Sequence, residues 1–255
     1  MGKPELFSSY YELVKRNHLH PSKTRLKLYI SYLFQDVSFD GKTMLDIGGG
    51  NGLFSLYGAC MGAKLVICLE PELEGAANGV ALRLKQLCDN LTQCSIIPKA
   101  VTLQDFDPAG QTFDIILLHN SINHLDEEAC VNLQTTDEAR ARYKAIFRKL
   151  SEIAAPSAKL IICDCSRYNL FGLLGVRNPF ISGIEWHKHQ SPEFWSSMLH
   201  EFGFRNPRIR WLYFGHVPML NKLHLYNCLA SFASYLTTSH FCLTMDKVGE
   251  PGTIA

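Results

Sequence analysis

The sequence predicts an α/β fold, a mostly parallel sheet with helices on both faces. Three observations carry this. From residue 43 onward, short apolar segments alternate with helix-patterned ones, the mark of repeated strand–helix units. One segment, FDIILLHN, is nearly all apolar, as a strand buried on both faces must be. The stretch TMLDIGGGNGLFS, Thr43 to Ser55, runs from an apolar strand through four glycines in five positions into a helix-compatible run. Such a junction lets a backbone come close to a ligand.

The elements follow in order. Leu6, Tyr10, Leu13 and Val14 recur at helical spacing, as do Leu26, Tyr29, Ile30 and Leu33 after a break at Pro21. Residues 5–38 thus read as one or two helices, and 1–38 as a helical lid on a domain spanning 39–255. TMLDI is the first strand, and LFSLYGACMG a helix stopped by Gly62. KLVICLE is the second strand and ELEGAANGVALRLKQLCDNL the second helix. CSIIPKAV is a third strand, weakened by Pro98. FDIILLHN is the fourth. TTDEARARYKAIFRKLSEIA is a helix with Thr136 as N-cap and acids in its first turn. AKLIICDCS is the fifth strand. SPEFWSSMLHEFGF is a helix capped by Ser191, with Pro192 in its first turn and Gly203 as its stop. RIRWLYF and HFCLTMDK are late strands. Insertions fall around 166–190 and, with helical character, around 218–238.

Composition narrows the function. The chain has 255 residues, 47% hydrophobic and 19% charged, a globular balance. A formal net charge of +1 gives no global pull toward nucleic acid, and no basic stripe interleaves with aromatics. Nine cysteines are scattered without a CxxC pair, which argues against a metal cluster or disulfide framework and for a reducing cytoplasm. The first residues lack the apolar core of a secretory signal, and no run reaches the ~18 apolar residues of a membrane span.

Gly48, Gly50 and Gly52 stand at alternate positions and do not satisfy the dinucleotide fingerprint GxGxxG, whose last step is longer. Gly49 does not rescue it. Glu70 lies at the end of the second strand, 18 positions past Gly52, where a carboxylate suits a free ribose diol.

With LDIGGGNG, LEPE, FDIILLHNSINHL and SPEFWSSMLHEFGF in this order, the chain resembles the class I S-adenosylmethionine-dependent methyltransferases over roughly residues 40–215. The resemblance implies a three-layer sandwich with a seven-stranded sheet, its last strand antiparallel, and S-adenosyl-L-methionine as cofactor. It implies that Gly48, Gly49, Gly50 and Gly52 form the loop against the methionine moiety and that Glu70 holds the ribose. Asp46 either orients the cofactor, directly or through water, or only caps the glycine turn. Where the family has a Gly-Asp-Ala-like step after the third strand, this chain has PKAVTLQDFD. Ala100 and Val101 are expected to line the adenine, with Thr102, Gln104 or Asp105 accepting its hydrogen bond. His119 and Asn120 are expected on the cofactor.

Methyl transfer is an in-line displacement in which the protein aligns a nucleophile and removes its proton. Candidate bases are His124, His187 and His189. Asp164, ending the fifth strand, either meets substrate or makes a structural bond. Glu185, His187 and His189 alternate as if extended; without a further ligand they are not expected to bind metal. In RYNLFGLLGVRNPFISG, Arg167 and Arg177 are the cations available to an acceptor's carboxylate or phosphate. The expected acceptor is a small molecule, methylated on oxygen, nitrogen or carbon. After the fourth strand HNSINH replaces the Asn/Asp-Pro-Pro-Tyr type step of members that methylate nucleic-acid amino groups. The C-terminal apolar stretch covers the site, packs a homodimer or meets a membrane-associated acceptor. The rival readings are a cofactor-binding partner protein without catalysis and a nicotinamide-dependent oxidoreductase.

Overall fold

Seven strands form one sheet in the order β3-β2-β1-β4-β5-β7-β6. The computed structural model describes residues 3–71, 95–181, 183–212 and 224–248. The expected helix over 72–91, Tyr213 and Phe214 of the expected sixth strand, and residues 218–223 of the C-terminal insertion lie outside them.

The chain divides into two compact units, Met1–Leu118 with Ile153–Lys159, and His119–Glu152 with Leu160–Ala255. In the first, β1 (Thr43–Ile47) pairs in parallel with β2 (Leu65–Leu69), and β2 with β3 (Ser95–Lys99). On its other side β1 pairs in parallel with β4 (Phe113–His119), Met44 opposite Ile115. Pro98 is tolerated because β3 is an edge strand, where a missing N–H breaks no ladder.

Helices α1 (Lys3–Arg16) and α2 (Lys23–Leu33), the expected lid, lie in this first unit. Their apolar faces are buried: Tyr10, Val14, Leu26, Ile30 and Leu33 are at most 3% exposed. Tyr10 packs edge-on against Tyr57, and its hydroxyl donates to the Leu53 carbonyl at 3.2 Å. Leu53 opens α3 (Leu53–Cys60), directly after the glycine loop. The N-terminal helices therefore brace the loop's exit.

The second unit contains the end of β5 (Ala154–Cys165), β6 (Phe204–Leu212) and β7 (His240–Lys247). The last two are antiparallel, Leu212 opposite His240. Its helices include α4 (Glu127–Asn132), α5 (Asp137–Ile153), α6 (Leu170–Leu173), α7 (Pro192–His200) and α8 (His224–Tyr235). Thr136 accepts from the Ala139 amide, and Ser191 from that of Phe194, the two expected caps. Trp195 is fully buried against Tyr143 and Phe147.

Two readings are corrected. The 185–189 segment is not extended: Trp186–Lys188 forms a 3-10 turn, which changes the directions of Glu185, His187 and His189. And β5 begins at Ala154 rather than Ala158. Elements of a single turn, such as α6 and the 3-10 helix Ile122–Leu125, are too short to leave a periodicity in sequence.

Candidate cofactor and acceptor sites

The glycine loop is tied to the end of β2. The Gly48 and Gly49 amides both donate to the Leu69 carbonyl, at 2.8 and 3.1 Å. The next residue, Glu70, accepts from the Gly50 amide on Oε2 at 2.8 Å. Its Oε1 takes no protein donor among the described residues. Gly48, Gly50 and Gly52 have φ of 68°, 52° and 75°, left-handed geometry that favours glycine. At Gly50 a Cβ would meet no protein atom within 4 Å, so the loop presents open space there. At Gly49 a Cβ would lie 2.3 Å from Cys68 Sγ and 3.0 Å from Asp46 Oδ2. One glycine faces open space and its neighbour faces the core.

Asp46 is 1% exposed, beneath this loop. Ser55, in the first turns of α3, donates to its Oδ2 at 2.7 Å, while Oδ1 is buried with no partner among the described residues. Burial, helped by the charge of Glu70 and opposed by the Ser55 hydrogen bonds, pushes its pKa from 3.8 up to about 6. The sign follows from linkage. The folded state holds the proton more tightly than the unfolded chain, so this group's stabilising effect is complete below pH 3.8 and is lost as pH rises to about 6. Asp46→Asn, which mimics the protonated form, is expected to gain stability relative to the parent across that window. Urea midpoints of both proteins from pH 4 to 7 check this; a difference independent of pH refutes it.

Ala100 is exposed and Val101 half-buried after β3. Beside them the Thr102 hydroxyl donates to Asp105 Oδ2 at 2.6 Å and accepts from the Asp105 amide, so these two residues close a local turn.

In the second unit, His119 ends β4 with its ring centroid 6.5 Å from that of His240. Burial pushes His119 down to about 4. Burial and the neighbouring His119 push His240 down to about 3, so both are neutral at physiological pH. Asn120 follows in left-handed geometry, φ 52°, its amide donating to the Cys163 carbonyl at 2.7 Å.

The three candidate bases separate. His124 is exposed and its Nδ1 pairs with Glu127 Oε1 at 2.6 Å. His187 is exposed. His189 is largely buried, and its Nδ1 lies 3.0 Å from Asp164 Oδ1. That oxygen also accepts from the Cys165 amide at 2.7 Å, and Asp164 Oδ2 is buried without a partner among the described residues. A carboxylate only accepts, so Nδ1 is the donor in this contact and Nε2 is the ring nitrogen left for another partner. The 3-10 turn that aims His189 is held by buried Gln190, which accepts from Gln134 and Arg167 and donates to the Cys130 carbonyl. Arg167 is thereby engaged within the protein, leaving Arg177 as the insertion's exposed cation. The Asp164–His189 pairing spans 25 positions and left no sequence signal beyond the presence of each residue.

The strand order, with a glycine loop after β1 and an acid after β2, defines the class I methyltransferase fold. Solved structures agree on the fold. The chain is similar to an S-adenosylmethionine-dependent methyltransferase from Aquifex aeolicus, with 15% identity, TM-score 0.56 and 94% and 98% of the two chains covered. It is similar to another from Mesorhizobium loti, with 12% identity, TM-score 0.55 and coverage of 82% and 92%. A curated protein, protein arginine N-methyltransferase PRMT10 of Arabidopsis thaliana, is 31% identical over 67 residues. That match covers 26% of this chain and 18% of the relative. No family model matches the chain.

Proposed function

We propose that this chain is an S-adenosylmethionine-dependent methyltransferase that acts on a small molecule through an ionisable oxygen or nitrogen. The observation that carries the reading is the loop itself: Glu70 grips the Gly50 amide while space above Gly50 stays open. The residues fit the cofactor. Asp46 Oδ1 is a buried acceptor beneath the loop without a partner among the described residues, and Glu70 keeps one oxygen for a ribose hydroxyl. Ala100, Val101, His119 and Asn120 remain the candidates for further cofactor contacts. When bound, S-adenosylmethionine supplies an activated methyl group. The protein's tasks are then to hold an acceptor in line and to remove its proton.

Of the candidate bases, His189 suits the second task, because Asp164 fixes its tautomer with Nε2 free to accept a proton. His124 is exposed, its Nδ1 paired with the half-exposed Glu127 rather than with a buried carboxylate, and His187 is exposed. Small size of the acceptor is supported by the balanced charge, which offers no broad anion-binding face. The described cysteines Cys60, Cys68, Cys130, Cys163, Cys165 and Cys242 are thiols not joined in disulfides, which suits a cytoplasmic setting. The second reading is a protein acceptor, favoured by the 67-residue similarity to an arginine methyltransferase.

Calorimetry with S-adenosylmethionine, its demethylated product and NAD tests the assignment. The first two are expected to bind and NAD is not; absence of binding by both methyl-cycle compounds refutes it. Radiolabelled methyl transfer to small-molecule fractions or to arginine peptides separates the two acceptor readings. For the base, nitrogen NMR is expected to find His189 as the single Nδ1–H tautomer, and Asp164→Ala to lose that preference. His189→Ala should lower turnover by about 10²-fold or more. A parent protein carrying the proton on Nε2 excludes His189 as the base.

A further inference from the structure

The loop between β5 and α7 forms an open cleft of about 640 Å³, within the roughly 300–1,000 Å³ of small-molecule sites. Its wall includes Phe171, Val176, Ile181, Ile184 and Trp186, and its charged members are Arg177, Glu185 and His187. The charges are unequal in what they leave free. Glu185 is bonded to Lys188 at 2.7 Å, which neutralises it locally. Arg177 is exposed and has no carboxylate partner among the described residues. The cleft thus combines an apolar wall with one exposed guanidinium that no carboxylate of the described residues neutralises.

Its walls are built rather than draped. Asn178, 3% exposed, donates to the Thr237 carbonyl at 2.7 Å and accepts from the amides of Phe180 and Ile181. Asn169, fully buried, donates to the carbonyls of Tyr235 and Thr237 and caps α6 by accepting from the Phe171 amide. Trp186 lies against Gly172 so closely that a Cβ there would come within 2.7 Å of the indole Cδ1. Glycine is needed at 172 for the indole to lie back against the wall. Val176, in the lining, and Leu173 and Leu174, in the same loop, are more than half exposed, at 52, 65 and 64%. A second pocket of about 390 Å³, lined by Tyr168, Glu193, Trp211 and Phe232 among others, carries an acid and, among the described residues, no cation, and does not share this character.

We infer that this cleft binds an amphipathic anion, a molecule with an apolar body seated against Phe171, Ile184 and Trp186 and a carboxylate or phosphate on Arg177. The recognising chemistry is a charge-assisted, two-pronged hydrogen bond from guanidinium to the anion, with apolar burial behind it. Calling this ligand the methyl acceptor rests on the methyltransferase reading; the binding site itself does not. The same chemistry is met by a free amphiphile or by an anionic lipid in a membrane, and the test distinguishes them.

Octyl phosphate, octyl glucoside and vesicles of phosphatidylcholine with or without phosphatidylglycerol are titrated into the full chain, read by calorimetry and tryptophan fluorescence. Octyl phosphate is expected to bind, octyl glucoside to bind at least tenfold more weakly, and Arg177→Gln to lose about tenfold for octyl phosphate alone. Gly172→Ala, whose Cβ would collide with the indole and displace it from its place in the wall, is expected to weaken both alkyl ligands. Binding only to phosphatidylglycerol vesicles, lost in Arg177→Gln, supports the anion site and assigns its source to a lipid surface. S-adenosylmethionine affinity, measured on the same preparations, is expected to stay at the parent value in both variants. Loss of that affinity in the parent would sink the methyltransferase reading while leaving this site standing. No binding of octyl phosphate or vesicles, or equal binding by Arg177→Gln and the parent, overturns the inference.

Discussion

Gly50→Val is expected to lose S-adenosylmethionine binding while leaving a folded protein. The new side chain meets no protein atom, since nothing lies within 4 Å of a Cβ at this position. It projects instead into the space assigned to the ligand. The cost to the fold is backbone strain, because φ is 52° and valine disfavours the left-handed region by about 1–2 kcal/mol. In a domain of this size ~1 kcal/mol shifts the melting temperature by roughly 2–4 °C. Gly49→Ala supplies the contrast. Its single methyl carbon would lie 2.3 Å from Cys68 Sγ, with both groups in the core, and overpacking of this kind costs about 1–3 kcal/mol. Adding Cys68→Ala should recover part of that stability, since it removes the colliding sulfur. Thermal melts and cofactor titrations of the variants read both effects. Normal cofactor affinity in Gly50→Val would reduce the loop to a tight turn.

Glu70→Ala is expected to weaken S-adenosylmethionine by at least tenfold. Two contributions add. The variant removes a charge-assisted acceptor for the ribose, worth about 1.5–3 kcal/mol, where ~1.4 kcal/mol is one decade. It also releases the Gly50 amide, bonded at 2.8 Å, so the loop loses a tie to the end of β2. The two are separable with Glu70→Gln, whose amide oxygen can keep the bond to Gly50 while the charge is gone. Affinity near the parent's in Glu70→Gln but not in Glu70→Ala would mean that Glu70 acts by shaping the loop. Parent affinity in both would move the ribose contact elsewhere. Melts without cofactor are expected to change little for either variant, because the carboxylate is only partly buried.

The alternation of apolar strands and amphipathic helices suffices to read the main strands and the helix over Pro192–His200 from local signals. Thr136 and Ser191 are legible as caps because capping is a contact across three residues. The loop was legible for a similar reason: left-handed backbone needs glycine, and Gly48, Gly50 and Gly52 mark where it occurs. Glu70 was legible from its place at a strand end. What spacing cannot convey is which glycine faces open space and which the core. That difference between Gly50 and Gly49 depends on Cys68 and Asp46, which belong to two neighbouring strands.

The sequence by itself determined the order of strands and helices, the glycine loop and its acid, because each is written in residues close together along the chain. Only the tertiary structure decided that Asp46 is buried against Ser55, that His189 pairs with a buried carboxylate while His124 pairs with an exposed one, and that Arg167 is tied to Gln190 while Arg177 stays exposed. These depend on residues far apart in sequence meeting at one point, and on burial, which sets the cost of an unpaired charge. The 3-10 turn at Trp186–Lys188 shows the same division. Alternating residues suggested an extended segment, but Gln190, fixed from Gln134, Arg167 and Cys130, bends the chain and gives His189 its aim.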